Sequence, residues 1–183
     1  IFAGMAAMSV VACSEDALET SPSSSVSGNE LLGTATNALV SLNGVYRAMY
    51  TAGVSNSSNT HQCFGITAYN LVADVMGEDC IMNGQGSGWF WYDCVYNVKS
   101  RYTSTGWRSY DMWNGYYTWI SNVNYILAEE ETMSGSETEK NYVLGQAYAV
   151  RAYSYFMLAQ MFSRTYKGHA VSYTHLRAHE TRS

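Results

Sequence analysis

The sequence has little positive charge and few charged residues of any kind. Lysine and arginine together number ten in 183 residues, against fifteen aspartates and glutamates, and the formal net charge is -5. A nucleic-acid-binding surface needs clustered basic side chains to neutralise phosphates, so this balance argues against nucleic acid as a partner. The hydrophobic share of 47% is typical of a globular chain that buries the core of one ordinary domain.

Cysteine is also scarce, and its spacing is not that of a metal site. The four cysteines form no Cys-x-x-Cys pair, and we predict neither a metal site nor a cofactor. We expect Cys63, Cys80 and Cys94 to be small, buried, apolar residues. Cys13 has a different interpretation, which depends on the residues before it.

No apolar run at the N-terminus is long enough to span a bilayer. Residues 1–12 carry no charge, but about 20 apolar residues are needed for a span. We interpret them as the end of a lipoprotein signal peptide, because Val-Val-Ala-Cys at positions 10–13 resembles a lipobox. Cys13 would then carry the acyl chains that anchor the protein, and residues 13–30 would form the lipidated tether. The alternative is a buried helix with an incidental cysteine.

The C-terminal segment 169–183 has no helical pattern and a sudden concentration of histidine. Codons for residues 171–176 can spell the transposon end used in sequencing libraries. We therefore interpret this segment as a translated sequencing-adapter artefact joined to a truncated gene. His175 and His179, although spaced four residues apart, are then not a metal site.

Hydrophobic periodicity predicts four helices, over residues 35–50, 66–76, 109–129 and 137–163. The second could also be a buried strand. Residues 77–88 contain four glycines and are predicted to be irregular, and residues 89–102 to be a long loop or two short extended pieces. The expected N-caps are Asn29 or Thr34 for the first helix and Thr138 for the last.

The last two predicted helices are joined by a short turn and should pack antiparallel as a hairpin. Ala152 and Phe156 fit the Ala-x-x-x-Phe element of tetratricopeptide helix pairs. The fold class predicted is mostly α, with tetratricopeptide-like helical hairpins and long irregular loops. Arg151 is expected to satisfy a nearby carboxylate or carbonyl. Five residues on the helical stripes are expected in the core: Trp113, Tyr116, Tyr117, Phe156 and Leu158.

Several motifs follow one another in a recognisable order. After Cys13 come Glu-Thr-Ser-Pro at 19–22, a helical segment at 39–46 and an acidic segment at 74–79. The longest motif is Trp-Asn-Gly-Tyr-Tyr-Thr-Trp-Ile-Ser-Asn-Val-Asn at 113–124, and Arg-Ala-Tyr-Ser-Tyr-Phe follows at 151–156. Together they resemble the SusD/RagB family of nutrient-binding lipoproteins of Bacteroidota, with valine in place of the more usual alanine at position 123.

This resemblance implies that residues 31–168 are the N-terminal part of a SusD-like helical domain. It also implies an outer-membrane lipoprotein that faces the cell exterior and forms a lid over a SusC-like TonB-dependent transporter. The role implied is binding of an oligosaccharide or similar nutrient, without catalysis or cofactor. Family members are longer, so the chain is expected to be a fragment that lacks much of the usual ligand surface.

Aromatic and polar residues concentrate between positions 83 and 93. Sugar binders pair exposed Trp or Tyr rings, which stack on C–H faces, with side chains that hydrogen-bond to hydroxyls. The candidate platform is Trp89, Trp91 and Tyr92, and the candidate polar partners are Asn83, Gln85 and Asp93. In an extended strand Trp89 and Trp91 would share one face, which suits stacking but also burial against the core or the transporter.

The sequence is compatible with two other functions. A glycoside hydrolase needs two carboxylates about 5 to 9 Å apart, and Asp74, Glu78 and Asp79 are the carboxylates considered for that role. The helical hairpins could alternatively form a protein-docking scaffold without a small ligand.

Overall fold

The computed structural model describes residues 31–86, 88–97 and 106–163. Within these ranges the chain forms five α-helices: α1 (Ala35–Ala48), α2 (Ile66–Met76), α3 (Trp91–Cys94), α4 (Trp107–Ala128) and α5 (Glu137–Phe162). The mostly α fold class is confirmed. Cys13, the segment 1–30 and the segment 169–183 lie outside the described residues, so the predictions for them stay predictions.

The first helix begins where its sequence provides a cap. The Thr34 side chain accepts a hydrogen bond from the Asn37 backbone N–H at 3.1 Å, which satisfies one of the free donors of the first turn. The apolar residues of the 3.6-residue period then face inward and are buried. They are Ala35, Ala38, Leu42 and Val45.

The second helix is attached to the end of the first by a close backbone approach at Gly65. The Ile66 backbone N–H donates to the Met49 carbonyl at 2.7 Å. Gly65 has a φ of 71°, and a Cβ there would overlap that same carbonyl. Only glycine fits this position, and it lets α2 pack directly against the end of α1. The predicted helix over residues 66–76 is confirmed by the bounds of α2.

The last two helices form the predicted antiparallel hairpin. Ring pairs join Trp113 to Phe162 and Tyr117 to Tyr155, and these residue numbers run in opposite directions along the two helices. Arg151 Nη1 donates to Asn124 Oδ1 at 3.1 Å, so the predicted carbonyl partner of Arg151 is a side-chain amide.

The turn of this hairpin is fixed by a capping box and by contacts with the start of α1. Ser136 Oγ accepts from the Glu139 N–H, while the Glu139 carboxylate accepts from the Ser136 N–H. The predicted cap Thr138 is therefore wrong by two residues, because Glu139 selects Ser136 as its partner. Ser134 also pairs with the chain beside α1, accepting from the Ala35 N–H at 2.8 Å.

The core lies where α1 and α2 pack against the α4–α5 hairpin. Trp119, Tyr69 and Tyr116 are its largest fully buried side chains, and their rings contact one another. Tyr116 and Leu158 are buried as predicted. The prediction was wrong for Trp113 and Phe156, which are 40% and 60% exposed, because the apolar surface of the hairpin is wider than the area that the other described helices cover.

The three cysteines in the described ranges are free thiols in different surroundings. Cys63 is buried as predicted and Cys94 is partly buried, but Cys80 is exposed. Cys80 follows α2 in an irregular segment that no helix covers, which explains why this prediction was wrong.

Candidate functional site

The predicted aromatic platform lies on a short turn of chain that precedes and includes α3. Trp89 and Tyr92 are 50% and 56% exposed, whereas Trp91 is partly buried. The expectation that Trp89 and Trp91 share one face of a strand is wrong. Phe90 between them has a left-handed φ of 57°, and Trp91 begins the helical turn α3 instead of continuing an extended chain.

His61 is the nearest aromatic neighbour of Trp89. The two ring centroids are 4.9 Å apart and the planes are tilted by 35°. Both residues are exposed, so the pair forms an open aromatic surface at the junction between the loop 51–65 and the chain before α3. Offset ring contacts of this kind fix the orientation of an exposed side chain without burying it.

Gln62 connects this surface to the interior. Its side-chain Oε1 accepts hydrogen bonds from the Phe90 backbone N–H at 3.1 Å and from Arg108 Nη2 at 3.0 Å. Its Nε2 lies 3.2 Å from the His61 Nε2 atom. One amide side chain thus contacts the His61 ring and holds the backbone of Phe90, the residue that follows Trp89.

Arg108, near the start of α4, is the buried centre of this arrangement. Its Nη2 lies 3.0 Å from the Asp93 Oδ2, and its Nη1 donates to the Gln62 carbonyl at 3.0 Å. The guanidinium also lies 4.2 Å from the Trp107 ring centroid and 5.0 Å from that of Phe90. Burial lowers the pKa of Arg108 to about 10, which leaves it cationic at neutral pH.

The polar candidates differ in what the structure assigns to them. Asn83 and Gln85 are exposed, and the Gln85 carbonyl accepts from the Gly88 N–H at 2.8 Å in the turn that leads to Trp89. Asp93 is 6% exposed, and its carboxylate faces Arg108. Asp93 is therefore part of the buried structure behind the platform, while the side chains of Asn83 and Gln85 reach solvent.

A second polar cluster lies under the loop 51–65. Asp111 is fully buried and accepts a hydrogen bond from Ser55 Oγ, while its backbone carbonyl accepts from the Tyr69 hydroxyl at 3.0 Å. Burial raises the pKa of the Asp111 carboxyl and raises the pKa of Cys63 to about 12. Asn114 adds a 2.8 Å hydrogen bond from its Nδ2 to the Ser55 carbonyl. These bonds attach the loop that carries His61 to the first turns of α4.

A cavity of about 480 Å³ lies between α2, the start of α4 and the end of α5, and Arg108 forms part of its wall. Its wall is largely apolar and contains three methionines, Met76, Met112 and Met161, together with Phe162. None of the predicted platform residues lines it. It contrasts with the Trp89 surface, where aromatic rings and polar side chains lie together at an open position.

The carboxylates considered for hydrolysis do not share a helical face. α2 ends at Met76, so Asp74 is in its last turn while Glu78 and Asp79 are exposed in the irregular chain beyond. Over the described ranges, no group of three or more His, Cys, Asp or Glu side chains is placed to hold a metal ion. In the same ranges, no helix has the length and hydropathy needed to cross a bilayer.

Three residues of the site were missed by the sequence reasoning: His61, Gln62 and Arg108. Their partners are distant in the chain, since Gln62 and Arg108 are separated by 46 positions. No local pattern marks such residues. An arginine at the start of a helix, where the dipole disfavours a cation, was the one available hint that Arg108 has a specific anionic partner.

Comparison with known families gives a match over most of the chain. A family model of the SusD-like group, described as starch-binding and associating with the outer membrane, matches residues 20–181. This range contains every described residue and also runs into the segment 169–183, whose interpretation as an adapter stays a prediction. No significant match was found among curated proteins or among solved structures.

Proposed function

Because this chain belongs to the SusD-like family of starch-binding, outer-membrane-associated proteins, we propose that it binds neutral glycans at the surface formed by Trp89 and Tyr92. In this proposal Cys13 carries the lipid anchor, and the protein faces the cell exterior. It delivers its ligand to a SusC-like TonB-dependent transporter and performs no chemistry on it.

The observation that carries the proposal is an exposed tryptophan on a rigid support. Trp89 is half exposed, yet its neighbours are held by the buried Arg108–Asp93 ion pair through Gln62. A preorganised ring loses little conformational freedom when a ligand stacks on it, which favours binding. Asn83 and Gln85 supply exposed amides for sugar hydroxyls, and Trp91 and Asp93 shape the turn that presents Trp89.

Binding is tested by affinity electrophoresis in gels that contain soluble starch and by calorimetric titration with maltoheptaose. We expect retardation of the wild type and at least about a tenfold weaker affinity for Trp89→Ala, equivalent to about 1.4 kcal/mol. Tyr125→Ala is the matched control, because Tyr125 is exposed but lies 17 residues further along α4 than Arg108, about 25 Å by helical rise. A folded wild type that binds neither starch nor any of a panel of neutral glycans contradicts the proposal.

Anchoring and partnership need a separate experiment in cells. Cys13→Ser should abolish incorporation of radiolabelled palmitate and release the protein from the membrane fraction. The wild type should co-purify from detergent-solubilised outer membranes with a TonB-dependent transporter. Membrane retention of Cys13→Ser, or the absence of a transporter among co-purified proteins, argues against these parts of the proposal.

Protein docking is a second candidate function, and one observation favours it. Trp113, Phe156 and Phe162 are all exposed on the α4–α5 hairpin, and the Trp113 and Phe162 rings contact each other at 5.1 Å. Exposed aromatic groups of this kind are frequent at protein interfaces. Phe156→Ala should weaken co-purification of the transporter and leave starch retardation unchanged if docking and glycan binding use separate surfaces.

A further inference from the structure

The hydrogen bonds of Gln62 determine which way its amide group is oriented. Its Oε1 faces two donors, the Phe90 N–H at 3.1 Å and Arg108 Nη2 at 3.0 Å. If the amide were flipped, its NH₂ group would face these two donors, which is unfavourable in a partly buried position. The orientation is therefore fixed, and the NH₂ group is the part of Gln62 that faces His61.

This orientation determines the tautomer of His61. The amide nitrogen of Gln62 can only donate, and it lies 3.2 Å from His61 Nε2, so Nε2 must accept. A neutral imidazole whose Nε2 accepts carries its proton on Nδ1. A continuous series of polar contacts thus runs from Asp93 through Arg108 and Gln62 to the ring of His61.

The same ring is in contact with Trp89. His61 is exposed, and its ring centroid lies 4.9 Å from that of Trp89, so the ring that carries the Nδ1–H is part of the aromatic surface. An apolar ring face beside a fixed donor matches the chemistry of a neutral pyranose, whose C–H face stacks while its ring, glycosidic and hydroxyl oxygens accept hydrogen bonds.

We propose that His61 is a ligand-binding residue of this site. Held as the Nδ1–H tautomer by Gln62, it donates a hydrogen bond to an oxygen atom of a neutral sugar that is stacked on Trp89. This inference rests on the proposed glycan-binding function and adds to it a residue and a defined proton position. Arg108 acts as a positioning residue, since it orients Gln62 and does not itself reach the surface.

The proton position is tested without any ligand. Long-range ¹⁵N–¹H NMR spectra of the ¹⁵N-histidine-labelled chain at pH 8, assigned by comparison with His61→Gln, should show the Nδ1–H pattern for His61. In Gln62→Glu the carboxylate can only accept, so the pattern of His61 should change to Nε2–H. An Nε2–H pattern in the wild type overturns the inference whatever the protein binds.

The role in binding is tested by titration with maltoheptaose. His61→Phe keeps a ring beside Trp89 but removes the donor, and we expect about tenfold weaker binding, with Tyr125→Ala unchanged. If Trp89→Ala weakens binding and His61→Phe does not, the inference is overturned and the proposed function stands. If the wild type binds neither maltoheptaose nor the panel of neutral glycans, both are overturned.

Discussion

The phenol of Tyr69, on α2, occupies the space that a side chain at Gly115, on α4, would need. A Cβ at Gly115 would overlap the Tyr69 hydroxyl oxygen and lie 3.2 Å from the ring carbon that bears it. The same hydroxyl donates to the Asp111 carbonyl at 3.0 Å and lies 3.2 Å from Ser55 Oγ. Gly115 therefore permits the contact that attaches α2 and the loop 51–65 to α4.

Replacing Gly115 by alanine should destabilise the protein, although alanine is the better helix former. Overlap with the fully buried Tyr69 ring forces a shift in the core, and we expect the free energy of unfolding to fall by about 1–3 kcal/mol. Gly145→Ala on α5 is the matched control, because beyond the backbone of its own helix nothing lies within 4 Å of the added Cβ. It should raise the free energy of unfolding by up to about 1 kcal/mol. Equal effects of the two variants in urea denaturation would contradict this packing account.

Arg108→Met should be among the most destabilising single substitutions. It keeps much of the side-chain volume but removes the Arg108 cation from the buried Asp93 carboxylate, at an expected cost of about 3–5 kcal/mol in the free energy of unfolding. The exposed Arg47→Met is the control. Addition of Asp93→Asn to Arg108→Met should recover part of the loss. A double variant as unstable as the sum of the two single variants would show that the pair is not coupled.

Asp111→Asn should change how stability depends on pH. Burial raises the pKa of Asp111 above 3.8, so between pH 3.8 and that raised value the native protein binds more protons than the unfolded chain. In this pH window, ionisation of the Asp111 carboxyl makes the free energy of unfolding fall as pH rises. An asparagine at this position does not titrate and adds no such pH dependence. We expect the stability of Asp111→Asn relative to the wild type to increase from pH 4 to pH 8 in urea denaturation. A pH-independent difference argues against the raised pKa.

Ser136→Ala and Thr138→Ala should differ, because only Ser136 caps α5. Loss of the Ser136 hydroxyl leaves the Glu139 N–H without its acceptor and should cost about 1 kcal/mol of folding free energy. Thr138 is exposed in the first turn, and its replacement should be near neutral or slightly stabilising. The change in the free energy of unfolding of each variant is measured by thermal or urea unfolding. A larger decrease for Thr138→Ala than for Ser136→Ala would support Thr138 as the N-cap.

The features that the sequence predicted correctly depend on residues that are close together in the chain. The bounds of α2 were predicted, and those of α1, α4 and α5 within two residues, because apolar periodicity and local caps act over one or two helical turns. Trp89 and Tyr92, chosen as candidates from composition, are exposed in the structure, while their role in binding stays a prediction. The role of Asp93 was not predicted, because a sequence does not show whether a carboxylate faces a ligand or a buried arginine.

The sequence by itself determined the helices, their hairpin order and the family, each of which depends on short-range pattern and motif order. Only the tertiary structure decided which rings stay exposed and which polar groups meet. His61 lies beside Trp89, and Gln62 beside Arg108, because packing of α4 against the loop 51–65 brings together residues that no periodicity relates. Hydrogen bonds over such separations depend on the folded path of the chain, and that path is fixed by the burial of the whole core.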